Sequence, residues 1–595
     1  MKKYALSLLL IVLPLALLAE PVSLQRARRL ADTFMAADGT RAGSLQLTCS
    51  YDVDARVLDA TRTAGDPALY VFNRPGGGFV LVSGDDAFRP VLGYSYTGEF
   101  CESATMPENL RGWLEEMTAA VGDIRANHLK ANSQVADEWD KYESPTRAGS
   151  LKKATPVKLY TTAEWSQSDP YNRFTPAIGG KQTVTGCVAT SIGILMKYYG
   201  YPQRIKIAQL PARSGDGYTI PYREVDYDYQ WDKMLMKYSG SSYTDEQADA
   251  CARLLADIGQ IGDLSYGTSS TGGNTKDVIG LMVNYYGYDP EMINESRYYY
   301  SDDEWIAKLK AELDQRPMSY TGRSSTGGHA FVADGYDTAD YIHINWGWNG
   351  SSNGYYHITG FYKYTTKHAA TFGFRPAAGG TYQPLYAFYV GTTSAGVAYK
   401  GLEMVSSGIT PGKSFNIKVG GIINKSFVEF PAEVAIGHCD QNGTLKGIVS
   451  TSKMDVSNLG PDYWRGYESV TCKITLPLET GDLLKAFYRV NNGEWQPLKA
   501  DKNVENAPYS ELRIADHLSI EAATNMLYDK TAGTLTFTMK LGTQVIVESA
   551  SKASVSQYVT NTPGTLVLRI ADMPKDTYII TLSSATESKV LRIVR

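Results

Sequence analysis

The chain has 595 residues, 43% hydrophobic and 20% charged, with a formal net charge of −5. That length exceeds what one hydrophobic core supports and predicts three to four domains, while 42 Tyr and 55 Gly favour strands and loops over helical bundles. The acidic balance without Lys/Arg runs argues against nucleic acid as a partner, and no stretch beyond residue 19 reaches the roughly 18 apolar residues that a membrane-spanning helix needs.

Residues 1–19 carry Lys2 and Lys3, an apolar run from Ala5 to Leu18 and a small residue, Ala19, before Glu20 and Pro21. This is the pattern of a cleavable secretory signal, so the protein is expected to be secreted or held at the cell surface. From 20 to 150 an amphipathic start (Leu24, Ala27, Leu30, Ala31, Phe34) precedes strand-like runs at Ala68–Phe72 and Gly78–Ser83, which predicts a small α+β domain. It ends in a polar stretch, Asn132 to Ser150, expected to be exposed and cleavable. Residues 151–385 alternate helical and strand patterns and hold most of the Trp and Tyr, as one catalytic domain would. The pattern then turns to short alternating strands such as Ser414–Val419 and Gly447–Thr451, predicting a β-sandwich-like domain over 386–515. A separate small β module over 516–595 closes with Met573–Leu582 and Val590–Arg595. The stretches Ser269–Gly273 and Ser324–Gly328 share one sequence and read as two flexible loops, not a repeat architecture.

The six cysteines (Cys49, Cys101, Cys187, Cys251, Cys439, Cys472) lack close Cys-x-x-Cys spacing and predict no disulfide framework. One of them stands out. After Cys187, the residues Val188, Ile192, Leu195, Met196 and Tyr199 fall at helical spacing, with Thr185 as the expected N-cap, Gly200 suited to a left-handed C-terminal position and Pro202 blocking continuation. Cys187 therefore lies in the first turn, where the helix dipole and unpaired N–H groups favour thiolate and can stabilise an oxyanion. The alternative is an inert buried cysteine, and a base decides between them.

Only seven histidines are available: 128, 329, 343, 357, 368, 438 and 517. His329 follows the Gly-rich Thr321–Gly328 loop and opens a strand through Tyr336, with a second strand from Tyr341 to Trp348. A two-residue turn at Thr338-Ala339 would oppose His329 to Trp348, put Trp346 on the same face and turn Asn345 away; one residue more or less in the loop reverses this. The third member of the site thus stays open between Asn345, which would orient the imidazole, and Trp346 or Trp348, which would shield it, with a tryptophan-packed dyad favoured. Gln182, five residues before Cys187, reads as an oxyanion-hole donor beside the Cys187 N–H or as a solvent-facing side chain. His343 and His357 read as structural, His438 beside Cys439 is too isolated for zinc, and no metal or cofactor is expected.

With these residues in hand, residues 20 to about 380 resemble the streptopain family of papain-like cysteine peptidases. The resemblance rests on Thr185–Thr190 with Met196–Pro202, on Gly328–Val332 with Asn345–Trp348, and on Tyr70–Asp86 and Met106–Trp113 in the first domain. It implies an α+β papain-like catalytic domain after an inhibitory α+β propeptide, Cys187 as nucleophile, His329 as acid/base, and Trp346 near the place of an orienting Asn. It also implies a zymogen that hydrolyses protein and peptide substrates, with its own propeptide as intramolecular inhibitor. The segment Leu568–Ile580 is similar to sorting modules of the Bacteroidetes type IX secretion route, implying contact with that machinery. Two other readings are an adhesin with a dead peptidase domain, against which Cys187 and His329 both stand, and acyl transfer to an amine by the same dyad.

Overall fold

The computed structural model describes residues 20–36, 45–58, 66–102, 106–144, 154–240, 242–323, 328–358 and 368–377, and most of 386–594. The expected signal segment 1–19, residues 145–153 with the end of the cleavable stretch, and the loop 324–327 lie outside the described residues, whereas the stretch from Asn132 to Ser144, expected to be an exposed linker, is largely helix with Trp139 buried. The chain divides into two compact units, Met1–Asp289 with Asp302–Ala378, and Pro290–Ser301 with Gly379–Arg595.

In the first unit, Ser23 caps helix α1 (Leu24–Ala36) by accepting from the Arg26 N–H, and the predicted stripe Ala27, Leu30, Ala31, Phe34 is buried together with Met35. Strands β1 (Gln46–Tyr51), β2 (Val57–Leu58), β3 (Leu69–Asn73), β4 (Phe79–Ser83) and β5 (Val91–Ser95) follow. Helix α2 (Glu108–Ala126) comes next, then α3 (Ser133–Glu143), whose N-cap Asn132 accepts from the Val135 N–H. The strands β3 to β5 are almost wholly buried, because α1 covers one face of the sheet and other apolar elements cover the second.

The remainder of this unit has a helical side and a sheet side. Helix α4 (Cys187–Tyr199) packs against α5 (Asp245–Ile261), which starts with a Thr244/Gln247 capping box, and near α6 (Thr275–Tyr286). Gly193 permits the close approach, since a Cβ there would meet Leu255 Cδ2 at 2.5 Å. The one-sided stripe expected for α4 is an underestimate: every residue from Val188 to Met196 is buried. The helix is enclosed by α5 on one side and by the sheet on the other.

The sheet side is built from β6 (Pro156–Leu159), β7 (Met318–Arg323), β8 (Gly328–Asp337), β9 (Ile342–Asn345), β10 (Gly354–Tyr356) and β11 (Ala369–Phe372). Their order is β11-β7-β8-β9-β10, and it continues without a break into β5-β4-β3-β1-β2, with β6 paired to the end of β8. The joint is the pairing of Tyr355 with Tyr94 and of Tyr356 with Gly93. The N-terminal region, read as a small α+β domain, therefore contributes its strands to a shared sheet. Edge strands expose unpaired N–H and C=O groups, and β5 and β10 each satisfy the other's.

In the second unit two sheets share one core across 386–514: strands around Ser414–Asn424 and Trp464–Lys473 face strands around Ala432–Cys439 and Leu483–Val490. A second pair of small sheets encloses Leu535, Phe537, Val545, Val547, Ile580 and Leu582 in the segment 523–594. The predicted Ser414 strand extends to Asn424, and the one placed at Gly447–Thr451 runs instead at Leu445–Ile448.

The joint between the two halves of the sheet is tightly fitted at Gly93, where a Cβ would meet Tyr356 Cδ1 at 2.6 Å. Gly93→Val in a Cys187→Ala background is expected to cost about 1–3 kcal/mol, read as a lowered melting temperature of the full chain.

Candidate active site

Cys187 is the first residue of α4, within the turn whose N–H groups lack helical partners, as the spacing predicted. The N-cap is not Thr185 but Gly186, at φ 82° and ψ 155°, a conformation that side chains disfavour. A Cβ on Gly186 would also sit 2.5 Å from the Thr271 carbonyl. Thr185 instead ties the approach to the helix: its hydroxyl meets the Thr190 hydroxyl at 2.9 Å, and its N–H donates to the Gln167 carbonyl at 3.0 Å.

The hairpin that carries His329 reaches the predicted register by an unpredicted route. Its turn is one residue longer than expected: Tyr336 pairs with Ile342 and Gly335 with His343, the Asp337 N–H donates to the Tyr341 carbonyl, and Asp340 takes φ 64°. A bulge at Asp334 absorbs the extra residue, so beyond it Ala333 pairs with Ile344 and Val332 with Asn345. At the site the faces are therefore those a two-residue turn would give. Phe331, on the face of His329, packs against Trp346 with ring centroids 5.0 Å apart.

Asn345 lies on the opposite face. Its amide donates to Thr162 Oγ1 and to the Ala163 carbonyl and accepts from the Gly347 N–H, so it does not orient His329. Trp346 is buried, its indole N–H bonded to the Ser352 carbonyl at 3.1 Å. Trp348, expected opposite His329, is not in the ladder: pairing stops at Asn345, and Gly347 (φ 69°) and Asn349 (φ 51°) turn the chain away. Gln182 is also corrected. Its amide nitrogen donates to the carbonyls of Asn172 and Thr175, so its donors are spent away from Cys187. Gln167, which sequence reasoning passed over, accepts through its main-chain carbonyl from the Thr185 N–H, two residues before Cys187.

One face of α2 lies over all of this. Glu108 acts through its charge on Cys187. Asn109 Nδ2 donates to the Ala330 carbonyl at 3.0 Å and the Trp346 carbonyl at 2.7 Å, bridging the two arms of the hairpin. Gly112 meets the imidazole of His329 so closely that a Cβ would fall 2.2 Å from Cδ2 and Nε2. Trp113 packs on Trp346 and Tyr356 and donates to the His357 carbonyl, and Glu116 meets His368 Nε2 at 2.8 Å in a buried pair. The spacing 108, 109, 112, 113, 116 is one helical stripe.

The electrostatics follow from this cover. Burial, and secondarily the Glu108 carboxylate, push the Cys187 thiol up, against the backbone N–H groups of Ala330, Cys187 and Val188. Burial, with His368 adding to it, pushes His329 down to about 4. Beneath α2, desolvation opposes the thiolate that the helix terminus favours at Cys187, and it opposes an imidazolium at His329 likewise. All six cysteines are free thiols, and Cys251 is fully buried in α5. His343 and His357 serve structure, the first on Asp334, the second beside Arg89. His438 is held by Asp482 at 2.6 Å.

The Peptidase C10 family model matches residues 165–356, and that of the Spi protease inhibitor matches residues 19–121. Streptopain of Streptococcus pyogenes is 31% identical over 325 residues, which cover 51% of this chain and 77% of that protein. Thiol protease/hemagglutinin PrtT of Porphyromonas gingivalis is 30% identical over 364 residues, 60% of this chain and 40% of that one. Among solved structures, a fragment of Prevotella intermedia prointerpain A aligns with 26% identity over 55% of this chain and 98% of its own, with a TM-score of 0.42.

Two outcomes follow from the local geometry. Gly186→Ala is expected to destabilise the chain by about 1–3 kcal/mol, measured by denaturant unfolding. Gln182→Ala is expected to keep kcat/KM of the processed enzyme within about threefold of wild type on a peptide substrate, instead of the roughly 10²–10³-fold loss that removing an oxyanion donor brings.

Proposed function

We propose, from the premise that this chain belongs to the Peptidase C10 family and is a cysteine peptidase, that it is an exported zymogen in which Cys187 is the nucleophile and His329 the acid/base. The observation that carries the assignment is the thiol at the first residue of α4, touched by the N–H of Ala330, the chain neighbour of His329. Residues 20 to 150 are the inhibitory propeptide. The α2 stripe covers the thiol with Glu108, clamps the hairpin through Asn109 and holds the imidazole against Gly112.

Cleavage near Thr146 to Thr155, followed by departure of α2, rehydrates both groups and removes the Glu108 charge. The N–H groups at the start of α4 then favour thiolate, and the freed imidazole takes the proton. Thiolate attacks the peptide carbonyl, the N–H groups at Cys187 receive the oxyanion, His329 protonates the leaving amine, and water resolves the acyl-enzyme. Trp346 keeps water from the ion pair, which strengthens it. Residues 1–19 direct export and 516–595 act as the sorting module for the secretion machinery.

In the full chain Cys187→Ala and His329→Ala are each expected to abolish self-processing and casein hydrolysis; normal maturation of either in isolation would sink the assignment. Gly112→Val is expected to speed maturation, because its side chain and the His329 ring cannot share one place. Maturation at the wild-type rate, followed by gel electrophoresis of the secreted protein, would contradict the holding role of α2.

A further inference from the structure

The face of the hairpin turned away from His329 carries a hydrogen-bond chain that the peptidase reaction does not itself call for. Asp334 is the bulge residue, 2% exposed. Its carbonyl accepts from the Tyr160 N–H at 2.8 Å, while its carboxylate accepts from the Thr162 hydroxyl at 2.5 Å and meets His343 Nδ1 at 2.5 Å. The Thr162 hydroxyl in turn accepts from Asn345 Nδ2 at 3.0 Å, and Asn345 Oδ1 accepts from the Gly347 N–H at 3.1 Å. Donors and acceptors run in one direction, from the Asn345 amide through Thr162 to the Asp334 carboxylate. Every member is engaged, which makes a buried polar network rigid.

We infer that Asp334, through Thr162 and Asn345, is the positioning device for the proposed base, and this rests on the assignment of His329 above. Two geometric facts carry it. The three-residue turn would by itself shift the hairpin by one residue and exchange its faces, and the bulge at Asp334 is what returns His329 and Trp346 to the same one. The far end of the chain fixes Gly347, whose φ of 69° starts the bend that follows Trp346. The same three side chains therefore pin the register of the strand bearing His329 and the turn bearing its shield. None of them is on the face of the reacting atoms, so none is a catalytic residue.

The test uses the full chain, matured, with rates normalised to titrated Cys187 and folding checked by thermal melting. Thr162→Val keeps the shape and removes the hydroxyl; Thr162→Ser keeps the hydroxyl and removes a methyl. Positioning predicts that Thr162→Val lowers kcat by about 10- to 100-fold with KM within threefold, and that Thr162→Ser restores most of kcat. Asn345→Asp, which replaces the donor to Thr162 by an acceptor, gives the same loss and serves if the valine variant does not fold. A wild-type kcat for Thr162→Val, or a serine variant as impaired as the valine one, would overturn the inference. His329→Ala runs beside them: if it is active, the assignment of the base has failed, whereas an inactive His329→Ala with unimpaired Thr162 and Asn345 variants rejects the positioning role alone.

Discussion

A strand offers each residue only two faces, and the hairpin from Gly328 to Asn345 has to present His329 and Trp346 on the same one. Helix α4 brings Cys187 against that face, α2 covers it, and the opposite face holds the polar residues that keep the ladder in step. If the hairpin slipped by one residue, the imidazole would point into the Asp334 side. The extra residue of the turn and the bulge at Asp334 are equal and opposite departures from a regular ladder, and the site depends on both being present.

In the proposed zymogen the same enclosure keeps the site silent. A thiolate and an imidazolium are charged, and a dry environment penalises each unless they face one another. Beneath α2 both groups lose water: the thiol is raised by burial and by Glu108, the imidazole is lowered to about 4 by burial, and its ring rests against Gly112. The cover is strong because it is distributed. A strand pairing at Gly93 and Tyr94, the amide of Asn109, the indole of Trp113 and the Glu116–His368 pair all tie the N-terminal region to the peptidase sheet.

Much of this was legible from residues alone, for physical reasons that can be named. The limits of α4 are written in Gly200 and Pro202, and the proposed nucleophile and base rest on a cysteine at a helix start and on the shortage of histidines. Strands β3 and β4 and the first half of the second unit's Ser414 strand were legible as strand-like runs. What could not be read were features set by tertiary neighbours. Gly186 is the cap because the Thr271 carbonyl leaves no room for a Cβ, and no local propensity encodes that. Gln182 was placed by its distance in sequence from Cys187, yet the Asn172–Thr175 loop captured its amide. The register at His329 came out right although the turn was one residue too short, because the compensating bulge has no signature in a single sequence. The shared sheet was missed since an edge strand does not name its partner.

The central claim is that α2 holds Cys187 as a neutral thiol and that its departure creates the reactive ion pair. The most direct measurement is the rate of alkylation of Cys187 as a function of pH, in a full chain prevented from maturing by His329→Asn and in the wild-type chain before and after processing, located by mass spectrometry. The account predicts that unprocessed Cys187 reacts slowly at pH 7 and speeds up only above the ordinary thiol range. After processing of the wild type it should react fast at pH 7 and stay reactive well below it, with Cys251 inert throughout. Equal rates and equal pH dependence for Cys187 before and after processing would contradict it.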